Sequence, residues 1–198
     1  MSEYYGFEKL SIRKLKEDLT PDTSLPIIEI SGDPKKGGTS SFELTGLSKS
    51  PVKVFASNIA YYLSRKGTGE VAANFGLLDL NTTDEATILG IAEAAAGIQG
   101  IGEDTEPPYV AAIAESEDLY GEPVAFALVA GTFTRDGYKF DTKNDDDFTP
   151  EPGEYVYTSI SRSIKFGAEA KTYKVLRASG TTAVDLLKTT VLGGPVTG

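Results

Sequence analysis

The 198-residue chain contains no cysteine and no histidine. These absences remove disulfides, thiol nucleophiles, zinc sites of the Cys/His type and the commonest general base near neutral pH. Any chemistry left would use carboxylates, Lys, Tyr or Ser/Thr, or Mg²⁺ or Ca²⁺ held by carboxylates. Long apolar runs are missing too, and no window approaches the roughly 20 residues needed to span a bilayer. Residues Met1 to Leu15 carry Glu and Lys where a signal peptide needs its apolar segment, so synthesis in a cytoplasm without export is expected. Basic residues are scarce, 19 against 29 acidic ones, for a net charge of −10. The deficit is local: residues 103–154 hold 14 acidic and 3 basic residues (−11), residues 1–102 hold 13 and 10 (−3), and residues 155–198 hold 2 and 6 (+4). An acid-rich middle is not a phosphate-binding face, which needs Lys and Arg to replace counterions. It is either a solvated surface that aids solubility or charge with a geometric purpose.

What is present suffices for a single domain, since 40% hydrophobic content can fill one core. The longest apolar run lies within Pro107 to Thr134, PPYVAAIAESEDLYGEPVAFALVAGTFT, and it predicts a buried β-hairpin. Its arms are Tyr109 to Ala114 and Val124 to Phe133, and its turn is Glu115 to Pro123. The second arm is apolar at nearly every position. It must therefore be covered on both faces, by a sheet or helix on one side and by a further layer or a partner subunit on the other.

In chain order, Phe7 to Leu15 and Leu25 to Ser31 read as strands, and Thr39 to Leu44 as a half-exposed one, together a small antiparallel sheet. Gly46 to Gly69 gives a mixed signal, helical in Val52, Phe55, Ala56, Ile59 and Tyr62 or Leu63 but strand-like in Ile59, Tyr61 and Leu63. A loop plus hairpin is preferred, with the second strand turning at Lys66 to Gly69 into Glu70 to Leu80. Tyr61 and Tyr62 beside Arg65 and Lys66 suit a packing or subunit contact better than base stacking. A helix is predicted over 82–96, with Thr82 as N-cap, Glu85 closing a capping box, an apolar stripe of Ile88, Ile91, Ala92 and Ala95, and Gly97 as C-cap. The glycine-rich Gly97 to Gly102 follows this helix instead of opening one, so it is not a phosphate loop. Arg135-Asp136-Gly137 turns into a strand at Tyr138 to Thr142, and the Asp run 145–147 lacks the Gly and closing Glu of an EF-hand. Glu154 to Ile164 and Lys171 to Ala178 form a last strand pair turning at Gly167. Beyond it, Ser179 to Gly198 is expected to be a loose tail with a short helix over Val184 to Leu187.

In this order the chain carries GFEKL at 6–10, FASN at 55–58, GTGEV at 67–71, LLDL at 77–80, ILG at 88–90, PPYVA at 107–111, ESED at 115–118, GEPV at 121–124, GTFT at 131–134, KFDTK at 139–143 and PEP at 150–152. On these residues it resembles the major tail proteins, or tail tube proteins, of long non-contractile-tailed phages (siphophages) of Gram-positive bacteria. The resemblance runs from about Gly6 to Ala178. It implies a mainly β (α+β) fold, an antiparallel sandwich or barrel with one flanking helix, similar to the tube proteins of phage tails and type VI secretion. It implies a structural virion protein and no enzyme, with no cofactor, metal or membrane partner. Copies would form hexameric rings that stack into a tube, each giving a four-stranded sheet to a continuous inner barrel.

The same resemblance divides the chain into an N-terminal arm, 1–5, a tube domain, 6–178, and a C-terminal arm, 179–198. Segment 46–69 would be the loop that bridges successive rings, with Phe55, Asn58, Tyr61 and Arg65 as interface residues. A segment that is ordered only on assembly gives a mixed local signal, which accounts for the ambiguity above. Other partners implied are a tape-measure protein inside the tube and terminator and tail-tip proteins at its ends, with assembly in the host cytoplasm. DNA would pass without specific binding: at six copies of −10 a ring carries −60, and like charge keeps phosphates off the wall. A second hypothesis for the charge is that the −11 middle and the +4 C-terminal third meet between copies and set the polarity of stacking, which requires salt-sensitive assembly. Two alternatives stand beside this reading. One is a monomeric β-sandwich module binding carbohydrate or a cell surface; the other is a carboxylate enzyme using Glu115 and Glu117, which lacks any burial signal to separate the two acids.

Overall fold

A computed structural model describes residues 4–33, 36–56, 58–63, 67–140, 142 and 149–194. Its elements in chain order are β1 (Tyr4–Lys14), β2 (Ile28–Ile30), β3 (Gly38–Thr45), β4 (Lys53–Ala56), β5 (Ile59–Leu63), β6 (Ala72–Leu78), α1 (Thr82–Leu89), β7 (Ala92–Ala95), β8 (Ile98–Gly100), β9 (Val110–Asp118), β10 (Pro123–Thr134), β11 (Gly153–Ser159), β12 (Arg162–Phe166), β13 (Glu169–Tyr173), β14 (Val175–Ser179) and α2 (Thr181–Leu192). Eight of the strands form one antiparallel sheet in the order β2-β1-β9-β10-β11-β6-β3, with β14 also on β10. The fold is mainly β, as the sequence predicts.

The apolar hairpin is the centre of this sheet. Its strands are longer than their apolar runs: β9 continues through Glu115, Ser116 and Glu117 to Asp118, and only 119–122 turn. The period-2 alternation of a strand splits β9 between two cores. Val110, Ala112 and Ala114 face one, with Leu10, Ile12, Phe75, Leu77, Leu128, Phe133, Tyr155 and Tyr157. Ala111 and Ile113 face the other, with Ala125, Ala127, Val129 and α2. Both faces of β10 are thus covered within one subunit.

The register of β10 against β9 shifts between Leu128 and Gly131, a β-bulge that puts both Val129 and Ala130 on the α2 side and returns Phe133 to the first core. The bulge also marks where β10 changes partner, from β14 along Val124 to Leu128 to β11 along Gly131 to Thr134. Its backbone groups find partners elsewhere. The amide of Val129 donates to Lys174 O at 3.2 Å, Ala130 O accepts from the amide of Ile160 at 2.8 Å, and Val129 O accepts from Arg162 Nη1 at 3.0 Å. Gly131 is required here, because a Cβ would lie 2.2 Å from Thr158 O and 2.6 Å from the Tyr157 ring.

The sheet curls until β1 meets β3 through side chains. Thr39 Oγ1 donates to Phe7 O, and Phe7 packs on Phe42 with ring centroids 5.8 Å apart. From there Phe42, Phe75, Phe133 and Tyr157 follow one another at 5.0–5.4 Å. Such tilted and edge-on pairs stabilise beyond their buried area. Tyr157, fully buried, directs its hydroxyl to Val110 O at 2.7 Å, and burial holds its phenol pKa well above the usual value.

Several expectations are corrected. The first three strands do not pair with one another as a small sheet: β1 pairs with β2, while β3 pairs with β6 at the far edge of the same eight-stranded sheet. Tyr4 and Tyr5, expected in an N-terminal arm, pair in β1 with Asp118 and Glu117. The helix over 82–96 stops at Leu89. Its N-cap is Asn81, whose side chain accepts from Thr83 N at 3.1 Å, and its C-cap is Gly90 at φ 68°. A Cβ at Gly90 would sit 2.0 Å from Glu106 O, so the returning chain fixes the stop, and Ala92 to Ala95 become β7. Gly97 turns β7 into β8 and caps no helix.

Among the described residues a second helix accompanies α1. The short helix expected over Val184 to Leu187 is longer, Thr181–Leu192, and not part of a loose tail: its Val184, Leu187, Val191 and Leu192 are buried on β9 and β10. No strand is found at 138–140, and residues 141 and 143–148, with the Asp run, lie outside the described residues. Finally, β12 pairs with β13 around Gly167 as expected, but β11 joins the main sheet and β14 joins β10.

Candidate assembly surface

Within segment 46–69, β4 and β5 pair as a hairpin; the hairpin expected between the 59–63 strand and 70–80 is not the one found, because β5 pairs with β4 and not with β6. The β4–β5 ladder is a two-stranded sheet of its own. Val54, Phe55, Ile59, Tyr61 and Tyr62 are all exposed, Phe55 to 66% and Tyr61 to 78%. Since neighbouring residues of a strand point to opposite faces, neither face of the hairpin is covered. Two strands alone are marginal in water, and apolar side chains on both faces gain stability only when another surface removes them from solvent.

Three of the four expected interface residues come together here. Phe55 lies on β4, Tyr61 on β5, and Asn58 at the tip, where its φ of 62° occupies the left-handed region that Asn tolerates. Arg65 lies outside the described residues.

A second hairpin, β7–β8, has the same character and was hidden in the sequence by its helical composition. Each residue of β7 and β8 is exposed, with Ile98 at 61%, and Ile101 just beyond is at 68%. The hairpin is tethered to the start of α1 by Gln99 Nε2, which donates to Thr82 O at 3.4 Å. The signals available were Gly90 and Gly97, each at positive φ, bracketing a run too short for a helix of its own.

The sheet register sets the two hairpins apart. Thr45 lies opposite Ala72 and Gly38 opposite Leu78, so 46–71 leaves the sheet at the start of β6 and 79–109 at its end. Seven residues of strand separate those ends by about 20 Å. The β9–β10 turn, with exposed Leu119 and Tyr120, lies toward the first end, because β9 runs from Val110, opposite Gly131, to Glu117, opposite Pro123.

At the second end α1 is pinned by a polar cluster. Glu85 takes an ion pair from Arg135 and a hydrogen bond from Tyr155 Oη at 2.7 Å, and Arg135 Nη1 also donates to Tyr155 Oη at 2.9 Å. The Arg135 guanidinium lies 4.1 Å from the Tyr138 ring centroid. Burial, then the bond to Glu85, pushes the Tyr155 phenol up. Burial is the largest single influence on Arg135 and lowers it, but the bond to Glu85 together with the nearby Tyr155, Glu85 and Tyr138 groups outweighs that and raises it. Glu85 is thus a structural anchor and does not close a capping box.

Glu115 and Glu117 do share one strand face, the one toward α2, because β9 extends past them. Glu115 is committed to Lys188 of α2 at 2.6 Å. Among the described residues no three carboxylates are grouped to hold a metal ion, and no helix is long and apolar enough to cross a membrane.

Two buried cores on the faces of one large antiparallel sheet, with exposed apolar side chains on two separate hairpins, define a mainly β protein. The profile of the phage tail tube protein family matches residues 26–189, and the chain belongs to that family. It is a tail tube protein and a component of the virion, and the family is not known for enzymatic activity. No curated protein matches the chain.

Proposed function

We propose that six copies form a ring, that rings stack head to tail, and that the stack is the tail tube through which DNA enters the host. The observation that carries this reading is the β4–β5 hairpin, apolar on both faces and paired with nothing but itself. The separation of the hairpins to opposite ends supports head-to-tail contact, which repeats without closing and so gives a filament. The net charge of −10 per copy keeps phosphates from adhering to the wall. Tape-measure, terminator and tail-tip proteins would bound the tube, assembled in the host cytoplasm of a Gram-positive bacterium infected by a siphophage.

The test is negative-stain electron microscopy with light-scattering mass over a concentration series, for the unsubstituted chain and for Phe55→Ser/Tyr61→Ser. Rings and hollow tubes are expected from the first. The second should remain monomeric with unchanged circular dichroism, because both side chains are solvent-exposed in the monomer. A monomer at every concentration, with tail-tip complexes added as initiators, would favour a monomeric binding module instead.

A further inference from the structure

The segments that carry the two hairpins are opposite in charge, and the hairpins lie at opposite ends of the sheet. Segment 46–69 contains Lys49, Lys53, Arg65 and Lys66 and no acidic residue, for +4. Segment 91–109, which holds β7 and β8, contains Glu93, Glu103, Asp104 and Glu106 and no basic residue, for −4. Among the described residues none of these four carboxylates has an ion-pair partner. The hairpins also differ in bulk: β4–β5 presents Phe55, Ile59, Tyr61 and Tyr62, whereas β7–β8 presents small residues, Ala92, Ala94 and Ala95, beside Ile98. Large side chains on one surface and a low, alanine-lined surface on the other suit close contact.

We propose that the β7–β8 hairpin of one copy is the seat for the β4–β5 hairpin of the next copy along the tube. This rests on the tube reading above and names the receiving surface within it. The acidic β9–β10 turn is the competing seat, and two facts exclude it. It lies toward the same end of the sheet as β4–β5, so a copy displaced along the axis does not bring the two together. Two of its acids are also engaged within the chain, Asp118 Oδ1 by the amides of Tyr120 and Glu122 at 2.8 and 3.0 Å and Glu115 by Lys188, whereas in 91–109 only Glu93 is engaged, by the amide of Gly97 at 3.0 Å. The seat at β7–β8 makes each copy donor at one end and acceptor at the other, which gives the tube its direction.

The absence of cysteine makes the test direct. A chain carrying Tyr61→Cys and Ile98→Cys, both exposed positions, is polymerised and oxidised. A ladder of covalent dimers, trimers and longer species is expected on non-reducing gels, while each single variant gives none. As a second readout, Lys49→Glu/Lys53→Glu raises the concentration needed for polymerisation by roughly an order of magnitude, and adding Glu103→Lys/Asp104→Lys to that chain restores it. Hollow tubes that yield no ladder, or a charge swap that restores nothing, overturn the pairing and leave the tube reading standing. Failure of the unsubstituted chain to form rings or tubes, with tail-tip complexes present, overturns both.

Discussion

Tyr155 of β11 donates its phenol hydrogen to Glu85 of α1, Oη to Oε1 at 2.7 Å, and so fixes where the helix meets the sheet. Arg135 completes the arrangement from the end of β10. The cluster is buried enough, with Arg135 and Glu85 side chains 18% and 13% exposed, that removing one member strands the others.

Glu85→Ala should therefore cost about 2–3 kcal/mol, since it leaves a largely desolvated guanidinium without its counter-charge. Tyr155→Phe should cost about 1 kcal/mol, the worth of one hydrogen bond. Urea midpoints of the singles and the double variant form a cycle in which the double costs less than the sum. Strict additivity would mean that the cluster does not act as a unit.

Gly131→Ala should be among the most damaging single changes. The added methyl would meet a backbone carbonyl and the fully buried Tyr157 ring in the middle of the sheet, and neither can retreat. A loss of about 3 kcal/mol or more is expected by thermal or urea denaturation. Gly137→Ala, where no atom lies within 4 Å, is the control and should shift stability little.

Much of this fold was legible from apolar runs and turn residues. The central hairpin was visible because β9 and β10 hold the longest such runs, and the coverage of both their faces followed from the same residues. The hairpin over 46–69 was found as a loop excursion because its local signal was mixed. What escaped depended on long-range contact. Ala92 to Ala95 have helical propensity, and only the approach of Glu106 O to Gly90 ends the helix before them. In α2 the run of Thr189, Thr190 and Val191 weakens the helical signal. Two threonine hydroxyls bond back to Asp185 O and Leu186 O, and burial of Val191 and Leu192 supplies what propensity does not. Phe55, Asn58 and Tyr61 lie on one hairpin, although local composition divides them between a loop and a strand. The exposed surface at Ile98 and Ile101 is not legible in the sequence, because the local composition reads as a helix and the loop beyond it.

Asp84, in the first turn of α1, is raised above the ordinary carboxyl value of 3.8 by burial. A carboxyl whose folded pKa is raised binds its proton more tightly in the folded state. Its contribution is therefore most favourable below the unfolded value and is lost as pH rises through the folded one. Asp84→Asn should be as stable as the parent below about pH 3.5 and more stable above the raised value, with the difference opening between them. Parallel urea titrations at pH 3 and pH 7 check this. A variant less stable at pH 7 would mean that the attraction of the helix N-terminus for the charge outweighs its desolvation.

Arg162 bridges the β10 bulge and the end of α2: its Nη1 donates to Val129 O and to Val191 O, each at 3.0 Å, from a buried position. Burial lowers its pKa, but an arginine keeps its charge through the accessible pH range. The positive group therefore sits where the C-terminal carbonyls of α2 concentrate negative potential. Arg162→Met keeps most of the volume and removes both donors, leaving two inward-facing carbonyls to be satisfied. The relief of a buried charge offsets part of that, so a net loss of about 2 kcal/mol is expected. The loss should be local. Hydrogen exchange at the amides of 184–192 should accelerate, while those of β6 and β11, tied together on the far side of the sheet, should keep their protection. Uniform acceleration across all strands would place Arg162 in the global folding unit instead of the α2 junction. Unchanged exchange in α2 would mean that its four buried side chains and the Lys188–Glu115 pair hold it without the arginine.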